Sequence, residues 1–202
     1  MMIVLTPEYA ADQEIETVIR LLDAGLDLLH IRKYDYSIEQ TATYIRRIPS
    51  YYHGKLVLHE HHELASTFDL KHLHMSETMR QEWSAKPLPQ GIQFSTSTHD
   101  ISSFNQLDNR WHYAFLSPFY PSISKPGYGS SSNMLQQTSK RTNQSVRLIA
   151  LGGMNTTNIA ATLSADVDGI ALLGAIWESD NPIQTFEDCC TAASTTPLLF
   201  KK

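Results

Sequence analysis

Val146-Arg-Leu-Ile-Ala-Leu-Gly-Gly-Met-Asn-Thr-Thr-Asn-Ile-Ala-Ala-Thr-Leu163 passes from an apolar run through a glycine pair into a segment that starts with helix-capping residues. A short apolar run with such a boundary reads as a buried strand, and the Asn155-Thr-Thr-Asn stretch as a capped helix start. Gly152 and Gly153 permit the tight turn between them, and the same turn exposes backbone amides to an anion. Upstream, Ser117-Pro-Phe-Tyr-Pro-Ser-Ile-Ser-Lys125 ends another apolar run with hydroxyls and one lysine. Ser122, Ser124, Lys125 and the amides of Gly152 and Gly153 would together supply the many short-range donors that a phosphate needs.

The same strand-then-helix alternation extends in both directions. Apolar runs occupy residues 2–5, 26–31, 56–58, 70–73, 91–94, 112–116, 146–151 and 169–173. Between them, residues 14–24 carry apolar side chains at 15, 18, 19 and 22, one face of a helix, and Gly25 stops it. Ser37 is placed to cap a second helix running through Ile48. Eight strand candidates separated by helices favour a closed parallel (β/α)8 barrel, the TIM barrel, over an open doubly wound sheet. Residues 75–89 lack helical periodicity and, with the Gly/Ser-rich residues 127–133, read as loops able to cover a site.

Composition bounds the function. The 202 residues, 42% hydrophobic, suit one core and a single domain over residues 1–202. A net charge of -5, with the 16 Lys and Arg scattered, argues against nucleic acid as a partner. No apolar stretch approaches the length of a membrane span, and the N-terminal run is too short for a signal sequence, so the expectation is a soluble cytoplasmic protein. Cys189 and Cys190 are adjacent in a helix-like segment, a spacing that suits buried helix positions rather than metal or disulfide chemistry. The aromatic pairs around Tyr51 and Trp111 read as packing residues.

In a barrel, the C-terminal strand ends line the active face. Here they carry Arg32-Lys33-Tyr34, His59-Glu60-His61, His74-Met75-Ser76-Glu77, Ser95 through His99, Ser117 through Lys125, Gly152-Gly153 and Leu173-Gly174. Cations, carboxylates and hydroxyls converging on one rim suit phosphorylated substrates with a divalent metal. Taken in order, these segments resemble those of thiamine-phosphate synthase and its relatives, the thiazole tautomerases of the TenI type. The family pattern runs Gln-x-Arg-x-Lys, Asn-Asp, His-Leu-Gly-Gln-x-Asp, Gly-x-Ser-x-His, a Thr-x-Thr-Lys loop, Gly-Gly-Ile and a glycine-led strand eight. This chain holds those places with His30-Ile-Arg32-Lys33-Tyr34, His59-Glu60, His74 to Glu77, Ser95 to His99, Ser122-Ile-Ser124-Lys125, Gly152-Gly153-Met154 and residues 169–176.

The resemblance implies condensation of an aminopyrimidine methyl diphosphate with a thiazole phosphate, releasing pyrophosphate. By matching position, Arg32, Ser97 and Lys125 would hold the diphosphate as the catalytic set. Glu60, with Glu77 as a substitute second ligand, would hold Mg²⁺. His30, Lys33, His59 and His74 would line the pyrimidine site, and Ser122, Ser124, Gly152, Gly153, Leu173 and Gly174 the thiazole-phosphate site. His30 and His59 stand where the pattern has amides, Tyr34 where it has lysine, and Lys33 is expected to be solvated and able to swing into the missing lysine's place. Pro118, where the tautomerase branch carries histidine, favours the synthase. Two other readings remain open: a non-catalytic relative that binds thiamine phosphate or thiazole phosphate, and a tautomerase, isomerase or aldolase acting on another phosphorylated substrate. The cluster His59-Glu60-His61-His62 does not read as a zinc box, since adjacent histidines point in different directions. Family members are often oligomeric, so the resemblance leaves room for a homo-oligomer, a state the sequence does not reveal.

Overall fold

The computed structural model describes residues 1–84, 86–121, 129 and 133–194. Eight strands, β1 (Met2–Leu5), β2 (Leu28–Ile31), β3 (Leu56–Leu58), β4 (His72–Met75), β5 (Gln93–Thr98), β6 (Trp111–Leu116), β7 (Arg147–Leu151) and β8 (Gly169–Leu172), close into one barrel in sequence order. Every neighbouring pair is parallel, and β8 returns to β1 through Ile170 opposite Met2. The helices between and after them are α1 (Glu14–Asp23), α2 (Ile38–Arg46), α3 (Leu64–Phe68), α4 (Glu77–Glu82), α5 (Ile101–Asn105), α6 (Met134–Gln137), α7 (Ile159–Leu163), α8 (Gly174–Trp177) and α9 (Pro182–Ser194). The expected (β/α)8 barrel is the architecture found, and the open sheet is not.

Strand alternation divides the core in two. Ile3, Leu5, Leu28, Val57, Tyr113 and Phe115 point into the barrel, where they pack with Ile149 and Ala171. Their neighbours Val4, Leu29, Leu58, Ala114 and Leu148 point outward into the larger cluster beneath the helices. A side chain that alternates inward near the C-terminal end of its strand therefore has only the barrel mouth to face.

Local signals explain the helix ends. The Leu26 N–H bonds the Leu21 carbonyl at 3.1 Å and the Gly25 N–H bonds that of Leu22 at 3.2 Å, with Gly25 at φ +97°, a Schellman stop for α1. Ser37 and Gln40 form a full capping box on α2. That helix ends at Arg46 rather than Ile48, one turn before the extended Pro49. The capped start after the glycine pair lies three residues further on: Asn155 forms a turn, accepting from the Thr157 N–H, and α7 begins at Ile159 behind Asn158. Residues 75–89 contain a helix, α4, with the Ser76 hydroxyl accepting from the Met79 N–H. Residues 127–133 lie almost wholly outside the described residues.

Among the described residues, no helix is long and apolar enough to cross a membrane. Cys189 is buried in α9 and Cys190 half-buried, and both are free thiols. Trp111 and Tyr113 are buried, whereas Tyr51 is 75% exposed.

Candidate active site

The mouth of the barrel holds a cleft of about 470 Å³ that draws at least one lining residue from the end of every strand, from Leu5 at the end of β1 to Leu173 just after β8. Arg32, His59, His74, Glu77, Ser97, Gly152 and Leu173, seven of the residues singled out in the sequence, line it together. Gly174 lies beside it in a smaller cleft of about 210 Å³ that shares Arg32 and Leu173 and is walled by Trp177. The Trp177 indole N–H is tied to the Leu5 carbonyl at 2.7 Å, which fixes α8 against the rim.

The floor is imidazole. His30, His59 and His74 alternate inward at the ends of the adjacent strands β2, β3 and β4, and all three are buried. The His30 Nδ1 is 2.9 Å from the His59 Nε2, and the His30 Nε2 is 2.6 Å from the Tyr113 hydroxyl. His59 Nδ1 faces the Tyr34 hydroxyl at 3.4 Å. The His74 nitrogens meet the hydroxyls of Ser95 at 2.9 Å and Ser97 at 3.0 Å. The rings of His59 and His74 stack with centroids 4.2 Å apart. Burial holds the His74 pKa down at about 3. Burial first, and neighbouring imidazoles second, hold His30 and His59 well below the ordinary histidine value. The three rings are therefore neutral at neutral pH, each with one N–H and one lone pair to place.

Among the described residues lining the cleft, Arg32 supplies the positive charge. Its backbone N–H is held by the Thr6 hydroxyl at 2.9 Å, and its guanidinium meets Glu8 at 2.7 Å and stands 5.5 Å from the Tyr34 ring centroid. Its Nε is buried without a partner among the described residues, a donor that an anion in the cleft could satisfy. Glu77 opens α4 and accepts from Arg80 at 3.0 Å. Glu60 follows β3, half-buried, close enough for its charge to act on Tyr34 and His62. Both carboxylates, at adjacent strand ends, offer the hard oxygen that Mg²⁺ takes and suit that ion by chemistry; Glu77 lines the cleft and Glu60 stands outside its lining.

The wall above β7 is set by the glycine pair. The Phe119 N–H bonds the Leu151 carbonyl at 2.9 Å and the Tyr120 N–H bonds that of Gly152 at 3.1 Å, so the chain after β6 runs directly over this turn. A Cβ on Gly153, at φ +63°, would collide with the Pro121 carbonyl.

Lys33 is the correction. It is neither solvated nor turned toward the cleft: its ammonium is buried, 2.7 Å from both the Glu14 carboxylate and the Tyr9 carbonyl. Glu14 also accepts from the Tyr44 hydroxyl at 2.7 Å, so the pair is locked between α1 and α2 outside the barrel wall. Strand alternation gives the reason, since Arg32 takes the inward position and Lys33 must face out. His30 lies beneath the cleft rather than on its surface. Lys125, Ser122 and Ser124 lie outside the described residues. Neither Tyr113, read in the sequence as a packing residue, nor Ser95, quoted there as part of a strand end, was given a role in the site, although two-residue alternation along β6 and β5 places both inside the barrel.

The profile of the family described as thiamine monophosphate synthase matches residues 1–176. A thiamine-phosphate synthase of Lysinibacillus sphaericus is 24% identical over 191 residues, covering 89% of this chain and 88% of that protein. One from Cronobacter sakazakii is 25% identical over 178 residues, covering 85% and 84%. Among solved structures, a thiamine phosphate pyrophosphorylase from Bacteroides thetaiotaomicron superposes with a TM-score of 0.79 at 24% identity, over 96% of this chain and 97% of that one. One from Pyrococcus furiosus gives 0.78 at 16% identity, over 97% and 96%. With a whole-barrel match joined to a mouth of this composition, the chain belongs to the thiamine monophosphate synthase family.

Proposed function

We propose that this protein is a thiamine-phosphate synthase, a transferase that joins an aminopyrimidine methyl diphosphate to a thiazole phosphate. The observation that carries the reading is the single cleft into which all eight strand ends project, with Arg32, Ser97, Glu77 and the Gly152 turn on its walls. The membership of the family supports it, and so does its implication of small phosphorylated substrates.

In the reaction, the C–O bond between the pyrimidine methylene and the diphosphate breaks, and pyrophosphate leaves with the electron pair. The thiazole nitrogen then donates its lone pair to the methylene carbon, forming the C–N bond. Such a step is accelerated by groups placed where charge develops. Arg32, Ser97 and Lys125 take the diphosphate oxygens. Glu60 and Glu77 would hold Mg²⁺, which would supply positive charge to offset that of the leaving group. His59 and His74, neutral and already hydrogen-bonded, present a floor against which a flat heteroaromatic ring can lie. Ser122, Ser124 and the amides of Gly152, Gly153, Leu173 and Gly174 take the thiazole phosphate. A cytoplasmic setting suits the two free thiols.

The test is an end-point assay with the purified protein, both phosphorylated precursors and Mg²⁺, in which product is oxidised to fluorescent thiochrome. Product that disappears with EDTA and in Lys125→Ala is the expected result. The imidazole floor favours one second reading, a relative that binds thiamine phosphate without making it. Thermal stabilisation by thiamine phosphate with no turnover would replace the synthase assignment with that one.

A further inference from the structure

We propose that His30, His59 and His74 form a binding site for a divalent d-block cation of the zinc class inside the barrel, distinct from the carboxylate site for Mg²⁺. Among the described residues, these three are the only group of three or more histidine, cysteine or acidic side chains that each offer one ligand atom with all such atoms within 4.8 Å of one another.

The geometry suits a tetrahedral ion. Zinc–nitrogen bonds of about 2.0–2.1 Å place the nitrogens of two ligands about 3.4 Å apart. The His30 Nδ1 and His59 Nε2 are 2.9 Å apart, so an ion entering between them needs a separation larger by about half an ångström. The outer hydrogen bonds are already in position. With Nδ1 on the ion, His30 carries its proton on Nε2 and donates to the Tyr113 hydroxyl; with Nε2 on the ion, His59 carries its proton on Nδ1 and donates to the Tyr34 hydroxyl. His74 uses one nitrogen as a ligand and keeps a serine, Ser95 or Ser97, on the other. Each ring thus has an oxygen partner to fix its tautomer, the arrangement that orients metal-bound histidines. No proton is released, because the N–H shared between His30 and His59 moves to the far nitrogen of its own ring.

Ligand chemistry sets the class of ion. Three neutral imidazoles favour Zn²⁺, Co²⁺ or Ni²⁺, whereas Mg²⁺ takes oxygen. Three protein ligands leave a fourth position, and His59 and His74 line the cleft from which water or a ring nitrogen of a bound ligand would reach it.

The test needs no turnover, so it stands or falls apart from the synthase assignment. The metal-free full-length protein is titrated with Co²⁺ and read by the visible d–d bands of a tetrahedral site, then with Zn²⁺ as competitor, in the presence of excess Mg²⁺. Tetrahedral bands displaced by one equivalent of Zn²⁺ but not by Mg²⁺ are expected. His59→Gln should weaken Zn²⁺ binding by about 100-fold or more, and Tyr113→Phe, which leaves all three ligands in place, by about 10-fold to 100-fold. His61→Gln, outside the cluster, should bind as the parent does. Thermal melts of the metal-free variants separate loss of ligand from loss of fold. Absent or Mg²⁺-displaceable bands would overturn the proposal, as would affinity unchanged in a folded His59→Gln or Tyr113→Phe, or lost in a folded His61→Gln.

Discussion

The Lys33 ammonium and the Glu14 carboxylate lie 2.7 Å apart with almost no solvent contact, tying the segment after β2 to the start of α1. Burial lowers the Lys33 pKa, while the hydrogen bond and charge of Glu14 act the other way. Desolvating two charges offsets much of their attraction, so the pair contributes little over a well-packed neutral substitute. Breaking it leaves a buried charge with no counter-ion.

Lys33→Met is therefore expected to lose about 3–5 kcal/mol of stability in urea unfolding, and Lys33→Met combined with Glu14→Gln to regain most of it. Because Lys33 does not reach the cleft, kcat/KM per folded molecule should be unchanged in either variant. A selective rise in KM for the pyrimidine diphosphate would return Lys33 to the substrate site.

Arg32 differs from its neighbour in facing the mouth with a buried, unpartnered Nε. Arg32→Lys keeps the charge but removes the planar fork and that donor. Its kcat/KM for the diphosphate substrate should fall by about 10²–10³, the range seen when one oxyanion donor is lost, with the melting temperature little changed. Steady-state kinetics that vary the two substrates separately would check this.

Gly153 has no room for a side chain. Its φ of +63° is unfavourable for other residues, and a Cβ would meet both Tyr120 and the Pro121 carbonyl. Gly153→Ala should cost more than about 1 kcal/mol, because strain adds to the collision. It should also weaken thiazole-phosphate binding by displacing the chain over the turn. Calorimetry with the thiazole phosphate would separate the second effect from the first.

The barrel was legible where strands are apolar on both faces and less so where the interior turns polar. β1 and β3 have the limits that their apolar runs suggest. β4 starts at His72, two residues into the run at 70–73, because Leu70 closes the turn after α3 through its N–H to the Ala65 carbonyl. β5 continues to Thr98, well past the apolar residues 91–94, because Ser95 and Ser97 face His74 instead of apolar neighbours. The polar floor thus hid the C-terminal ends of β4 and β5, and the same alternation, applied to β6, would have revealed Tyr113 beneath the cleft. Individual rim residues were legible because barrel topology gathers strand ends whatever their identity. Their partners were not, since the burial of Lys33 depends on Glu14 and Tyr44, which are distant in sequence.

The histidine floor also makes the stability of the metal-free protein depend on pH. For His30, His59 and His74 the folded-state pKa lies below the unfolded value, and for His74 it is about 3 against 6.5. A group shifted in this direction contributes fully above the unfolded pKa. Its contribution is lost as pH falls, because the unfolded chain then binds a proton that the folded chain refuses. Between pH 6.5 and 4, His74 alone should lower the unfolding free energy by up to about 1.4 kcal/mol per pH unit. Carboxylates titrate in part of the same range, so the decisive comparison is with His74→Asn, which cannot take up that proton. Urea midpoints of the metal-free protein and this variant, measured from pH 7.5 to 4, should converge as the pH falls. Parallel curves would mean that His74 is protonated in the folded barrel as readily as in the unfolded chain.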